Sequence, residues 1–175
     1  MRERLTARVL LFDPGDRILL MKGRLPGNPS GPAFWFTIGG EREAGESVEA
    51  AAAREIVEET GLTDAELGPV VWTSEALIAF GEAGETIHFK ESFVVARTMG
   101  GALSRDGWNS GERELIDDLR WWTLEELVRS EETVYPVGLA ELLDDVRAGR
   151  TAAEPLVIAT VDGPVRPIPR VEIAG

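Results

Sequence analysis

The sequence predicts one α/β (α+β) domain in which a mixed β-sheet is sandwiched between helices. Three observations lead there. The chain has 175 residues, 43% of them hydrophobic, enough for one proper core and too few for a confident second domain. Strand-like apolar runs come first, then one central helix, more strands and a closing helix, an order that suits a sheet with helices on its faces. No internal repeat or low-complexity tract interrupts it. We place the domain at residues 1–150 and read 151–175 as a C-terminal extension packed on it.

The elements follow from local chemistry. "TARVLLF" and "RILLMK" flank "DPGD", whose Asp, Pro and Gly favour a turn, so Thr6 to Lys22 reads as a β-hairpin. Gly23 to Ala33 is rich in Gly and Pro and reads as a long loop, a kind that is often functional. "FWFTI" reads as a strand entering the glycine-rich loop "GGEREAGE". A helix is expected over Val48–Thr60, with Ser47 as N-cap, Glu49 in the first turn and Gly61 as the C′ stop. Ala50, Ala53 and Val57 lie opposite the helix glutamates, so the expectation is that this apolar side packs on the sheet and the acidic side points away.

"PVVWTSEALIAF" and "TIHFKESFVVAR" flank "GEAGE" and read as a second hairpin. "GGALSRDGWNSG" reads as a loop and "LIDDLRWWT" as a strand. Thr123 with Glu126 forms a capping box for a short helix through about Arg129. Pro136 in the first turn and Gly149 at the end bracket a last helix, "VGLAELLDDVRAG". The tail from Thr151 fits either an edge strand or an ordered arm.

Composition narrows the chemistry. Eighteen Lys+Arg against 31 Asp+Glu give a formal charge of −13, which disfavours long nucleic acid as a partner. Cysteine is absent, excluding disulfides, thiolate metal sites and cysteine nucleophiles. The first residues, "MRERLTARVLLFDPGD", hold an apolar run far too short to span a membrane and no small-residue cleavage pattern; a cytoplasmic protein is the expectation. His88 is the sole histidine, which removes histidine-pair zinc motifs. It reads as an ordinary strand side chain, with a substrate contact as the alternative.

The stretch "REIVEETG" holds Glu55, Glu58 and Glu59 within two turns of one helix. At about 100° per residue, Glu58 lies roughly 60° to one side of Glu55 and Glu59 about 40° to the other, so the carboxylates share a face. On an open surface each like-charged pair costs about 0.2–0.5 kcal/mol. In a cleft, about 6 Å apart at an effective dielectric near 20, each pair would repel by roughly 3 kcal/mol. A solvated acidic face and a multivalent-cation site are therefore the two readings.

The wider pattern chooses between them. Gly40 to Leu62 fits G-x5-E-x7-R-E-U-x-E-E-x-G-U, U being aliphatic, through Gly40, Glu46, Arg54, Glu55, Ile56, Glu58, Glu59, Gly61 and Leu62. It resembles the signature of the Nudix hydrolase family without a mismatch. The resemblance implies a Mg²⁺- or Mn²⁺-dependent pyrophosphohydrolase that cuts a nucleoside diphosphate linked to another moiety. Carboxylate oxygens are hard donors suited to both ions. It further implies Glu58 and Glu59 as the main metal ligands, joined by Glu55 and a backbone carbonyl from Gly39 or Gly40. Glu46 would close the loop and reach a metal through water, and Arg54 would hold a glutamate. The base for the attacking water would be Glu55 or a later carboxylate, Glu112 ahead of Glu114. Two positions depart from common family usage, Ile38 and Ala44 standing where proline is frequent.

Trp35 could offer a flat platform to a base, against core packing as the alternative; Trp108 lies in a loop, and Trp121 and Trp122 would point to opposite faces. Lys22 and Arg24 could touch phosphate. Homodimers are common in the family, by analogy only. The rival function is a Nudix-fold binding or regulatory module that senses a nucleotide without cutting it. The specific nucleotide derivative is not written in the motif.

Overall fold

The computed structural model describes residues 2–25, 28–80 and 85–159. Parts of three sequence expectations lie outside that range: residues 26–27 of the long loop, 81–84 of the "GEAGE" turn and 160–175 of the C-terminal extension.

The strands β1 (Arg2–Phe12), β2 (Ile18–Gly23) and β3 (Phe34–Glu41) lead into helix α1 (Val48–Thr60). Next come β4 (Glu66–Phe80), β5 (Glu85–Arg97), α2 (Ser110–Leu115), β6 (Ile116–Trp122) and α3 (Leu124–Arg129). The short β7 (Val134–Tyr135), α4 (Leu139–Arg147) and β8 (Leu156–Val157) complete the described chain. One mixed sheet runs in the order β6-β2-β3-β1-β5-β4-β8, with β7 added to β3.

The first hairpin is only half as expected. Its arms meet at Phe12 and Ile18 and then part, because β3 lies between them, antiparallel to both. Strand β1 also pairs β5 in parallel along its whole length. It is therefore a central strand, which is why Val9, Leu10, Leu11 and Phe12 are all buried without alternation. The second hairpin forms as β4 and β5. The Asn109–Glu112 capping box starts α2 at Ser110–Leu115 where a loop end was expected, and α4 begins at Leu139, with Gly138 at φ +74° preceding it. Pro136 thus stands before the helix, outside its first turn.

Two apolar layers fill the sheet's faces. Ala7, Val9, Leu11, Ile38 and Val94 pack with Ala51, Ala52 and Ile56 of α1. Leu10, Phe12, Trp35, Phe93 and Trp122 pack with Leu127 of α3 and Leu139, Leu143 and Val146 of α4. Trp121 joins the first layer and Trp122 the second, as strand alternation requires. Within the extension, β8 pairs β4, and Ile158 is buried in the second layer.

Helix α1 has the expected bounds. The Ser47 hydroxyl accepts from the Ala50 N–H, and the N–H of Gly61, at φ +74°, donates to the Val57 carbonyl. Its buried face, however, is Ala51, Ala52, Glu55, Ile56, Glu59 and Thr60. Ala50, Ala53 and Val57 are exposed, so the expectation that the acidic side points away is corrected. Opposite Glu55 and Glu59, β3 carries Gly40 and Gly39, which have no side chains to fill the space the carboxylates enter.

Candidate metal centre

Three features bring the acidic groups together: the Gly39–Gly40 pair near the end of β3, the loop at Glu46, and two turns of α1. Glu55 and Glu59 are 6% and 5% exposed, whereas the Glu58 side chain is half exposed. The Gly39 N–H donates to Glu59 Oε2 at 2.7 Å. A Cβ built on Gly40 would lie 2.7 Å from the Glu55 carboxyl carbon, so the missing side chain is what admits Glu55.

Arg54 holds the cluster from the other side. Its Nε donates to Glu46 Oε1 at 3.0 Å, and Nη2 to Glu46 Oε2 at 2.9 Å and the Glu41 carbonyl at 3.2 Å. Its Nη1 donates to Glu55 Oε1 at 2.7 Å and Glu58 Oε2 at 3.1 Å. A guanidinium has five N–H groups, and these five contacts occupy all of them. One positive charge therefore faces three carboxylates, while Glu59 lies beyond its reach.

The electrostatics express that deficit. Arg54 and the Glu43 N–H hold the Glu46 carboxyl down at about 2. Burial raises Glu55, against the pull of Arg54, and the neighbouring Glu58 and Glu112 charges raise it further. Burial pushes Glu59 up to about 8, opposed by the Gly39 N–H and by Arg8. Such a set is short of positive charge, and its exposed donors are hard oxygens. Mg²⁺ or Mn²⁺ fits that chemistry. Among the described residues no three carboxylates already converge at ligand spacing, because the Arg54 guanidinium stands between Glu46, Glu55 and Glu58.

A pH dependence follows for the metal-free protein. Glu59 keeps its proton in the folded chain up to about pH 8, while an unfolded chain loses it near 4.5. The folded state binds more protons across that window, so stability should fall as pH rises from about 4.5 to 8, by about 5 kcal/mol. Glu55 adds in the same direction. Denaturant unfolding of chelator-treated protein at pH 5 and pH 8 measures this, and saturating Mn²⁺ should remove most of the difference. Equal stability at the two pH values would contradict it.

Behind the ridge, the loop after β5 closes the C-terminal end of α1. The Trp108 Nε1–H donates to the Glu59 carbonyl at 2.8 Å, and the Ser104 N–H to the Thr60 carbonyl at 2.8 Å. These contacts satisfy carbonyls that a helix end leaves open. Arg113 ties the loop together, donating to the carbonyls of Trp108, Arg105 and Asp106. Trp108 is thus a buried helix anchor, a role its loop position concealed.

The remaining expected residues lie differently. Glu112 is close enough to raise Glu55 and Glu59, yet its Oε2 accepts the Asn109 N–H at 2.8 Å in a capping box. The N-x-x-E pattern at Asn109 could have revealed that box. Trp35 is 2% exposed, edge-on to Trp122 at 4.9 Å, and its Nε1–H donates to Glu132. It sits in the core under α3 and α4, with no open ring face for a base. Arg24 pairs with Asp117 at 2.6 Å and donates to the Gly31 carbonyl; Lys22 pairs with Glu132 at 2.8 Å. Neither is drawn to the ridge. His88 lies 2.8 Å from Glu75 on the neighbouring strand.

A family model described as the NUDIX domain matches residues 2–146. The chain belongs to the Nudix family. The Nudix fold is equally plain in solved structures. The NUDIX domain of Shewanella oneidensis NrtR, complexed with ADP ribose, superimposes with a TM-score of 0.60 at 18% identity, over 86% of this chain and 90% of that one. The MutT protein from Methanosarcina mazei gives 0.55 at 16% identity, over 86% and 97%. The E. coli ORF135 protein gives 0.54 at 26% identity, over 87% and 96%.

The glycine pair gives a direct prediction about this Nudix box. Gly40→Ala should drive the new methyl into the Glu55 carboxyl group, lowering stability by about 1–3 kcal/mol and weakening Mn²⁺ binding. Thermal melts with and without Mn²⁺ read both effects. An alanine variant that binds Mn²⁺ like the parent would show that Glu55 needs no such room.

Proposed function

We propose that the protein hydrolyses a phosphoanhydride bond in a nucleoside diphosphate linked to another moiety, with Mg²⁺ or Mn²⁺. The observation that carries this reading is the gathering of Glu46, Glu55 and Glu58 around one fully engaged arginine, with Glu55 and Glu59 buried against a glycine pair. A purely solubilising acidic face would leave those carboxylates in water.

Glu58, Glu59 and Glu55, with a carbonyl of Gly39 or Gly40, would hold the metal, and Glu46 would support it through water. A bound divalent ion neutralises phosphoryl oxygens and acidifies water. Arg54 gathers Glu46, Glu55 and Glu58 at N–O distances of 2.7–3.1 Å, a starting arrangement from which Glu55 and Glu58 would turn toward an arriving cation. Glu112 takes the proton of the attacking water on its uncapped oxygen, with Glu55 as the alternative base. Water adds to one phosphorus, the bridging oxygen leaves with the other phosphoryl group, and two phosphorylated products result.

The ligand is small and anionic: ADP-ribose, as held by the NrtR domain, exemplifies the class, while the −13 charge argues against long nucleic acid. A cytoplasmic setting suits such substrates. Incubation with Mg²⁺ and a broad panel of nucleoside diphosphate derivatives, followed by chromatographic identification of products, tests the proposal. Turnover of at least one member to two phosphorylated fragments is expected. Metal-dependent binding across the panel with no turnover would make the protein a nucleotide-binding module instead.

A further inference from the structure

Gly39 is held from two sides. It adopts φ +126°, a conformation open to glycine alone among common residues, and a second glycine follows it. Two adjacent glycines carry the largest backbone freedom a chain can have, so a fixed geometry here needs an outside restraint. One restraint is Glu59, which accepts the Gly39 N–H. The other is Arg8, which stands opposite Gly39 in the β1/β3 register and donates through Nη1 to the Gly39 carbonyl at 3.3 Å.

Arg8 is itself anchored. Its Nε donates to Glu91 Oε1 at 2.8 Å, and the buried Ser74 hydroxyl donates to Glu91 Oε2 at 3.1 Å. A continuous chain of contacts thus runs Ser74–Glu91–Arg8–Gly39–Glu59, from β4 through β5, β1 and β3 to α1. The charged groups facing Arg8 are Glu91 from β5 and Glu59 from α1. Arg54 has no spare N–H for this task, since all five are engaged on the far side of the ridge.

We infer that Arg8 is a positioning residue that locks the Gly39–Gly40 backbone against the acidic ridge, so that Glu59 and the Gly40 carbonyl meet a divalent cation in one arrangement. This rests on the proposed metal-dependent function, and it concerns a residue outside the Nudix box. The fork matters as well as the charge: Nε reaches Glu91 while Nη1 reaches the carbonyl, a spread of donors that lysine's single nitrogen does not reproduce.

The test uses the full chain, chelator-treated, with two readouts. Amide hydrogen exchange at Gly39, by NMR without metal, reports the lock itself. Mn²⁺ titration by electron paramagnetic resonance reports its consequence. Arg8→Met, and Arg8→Lys equally, should speed Gly39 exchange at least about tenfold and weaken Mn²⁺ binding about tenfold, the usual scale for outer partners of metal ligands. Should Arg8→Met fold poorly with Glu91 unpaired, Arg8→Met/Glu91→Gln leaves no orphan charge and should show the same two effects.

Unchanged Gly39 exchange and unchanged Mn²⁺ affinity in that double variant would overturn the inference. So would a raised KM with both readouts unmoved, since Arg8 would then be a substrate contact. If the parent protein itself takes up no Mn²⁺, the proposed function fails, and Gly39 exchange alone still decides for or against the lock.

Discussion

Glu58→Gln is expected to reduce Mg²⁺-dependent hydrolysis on the order of 10³-fold while leaving the melting temperature unchanged or slightly higher. The two effects part because of where Glu58 sits. Its side chain is half exposed and its protein partner is Arg54 Nη1 at 3.1 Å, which a glutamine oxygen can still meet. The change also relieves repulsion with Glu55, a gain of a few tenths of a kcal/mol at most. What the variant loses is a full negative charge at the open mouth of the ridge, and a loss of about 4 kcal/mol of metal-borne transition-state stabilisation corresponds to that rate change. Steady-state kinetics and thermal melts on the same preparation measure both. A fall of less than about tenfold would place Glu58 outside the reacting centre.

Arg54→Met is expected to damage the protein in a different way, lowering stability by about 3 kcal/mol and abolishing activity at ordinary Mg²⁺ concentrations. Methionine preserves much of the packing but leaves Glu55 buried without its counter-charge, and breaking a buried pair from one side costs roughly 3–5 kcal/mol. The lower end applies here because the Arg54 side chain is about a quarter exposed. Mn²⁺ should then stabilise the variant more than the parent, because it supplies the positive charge the variant lacks. Denaturant unfolding with and without Mn²⁺ tests this pair of statements. Parent-like stability in metal-free buffer would mean that Arg54 is not what holds the carboxylates together.

These two residues also show how far the sequence could be read. The bounds of α1 are local: Ser47 and Gly61 carry them in their own side-chain and backbone chemistry. The membership of the ridge is local too, since Arg54, Glu55, Glu58 and Glu59 share two helical turns. Which side of α1 is buried was not local. Helical spacing pointed to Ala50, Ala53 and Val57, but the space that admits Glu55 and Glu59 is created by Gly39 and Gly40, on a strand whose position depends on the whole sheet. Trp35 was open between platform and core until β7, α3 and α4 covered it. Arg8 gave no signal at all, because its partners lie 31 and 83 residues away. Contacts of that range are set by strand order, which local chemistry does not encode, as at the first hairpin, where β3 divides the arms.

The acidic excess has one further consequence for binding. An anionic diphosphate approaching this surface meets a repulsive field, and the ridge adds to it until a cation is present. Nucleotide affinity should therefore depend on divalent metal far more than on monovalent salt. The most direct test of a divalent-cation site at the ridge is a Mn²⁺ titration of the full chain, followed by electron paramagnetic resonance, with and without a non-hydrolysable nucleoside diphosphate derivative. Saturable binding is expected, which the derivative tightens and Glu58→Gln weakens by at least about tenfold. Free Mn²⁺ signals undiminished by the protein, with the derivative bound, would contradict it.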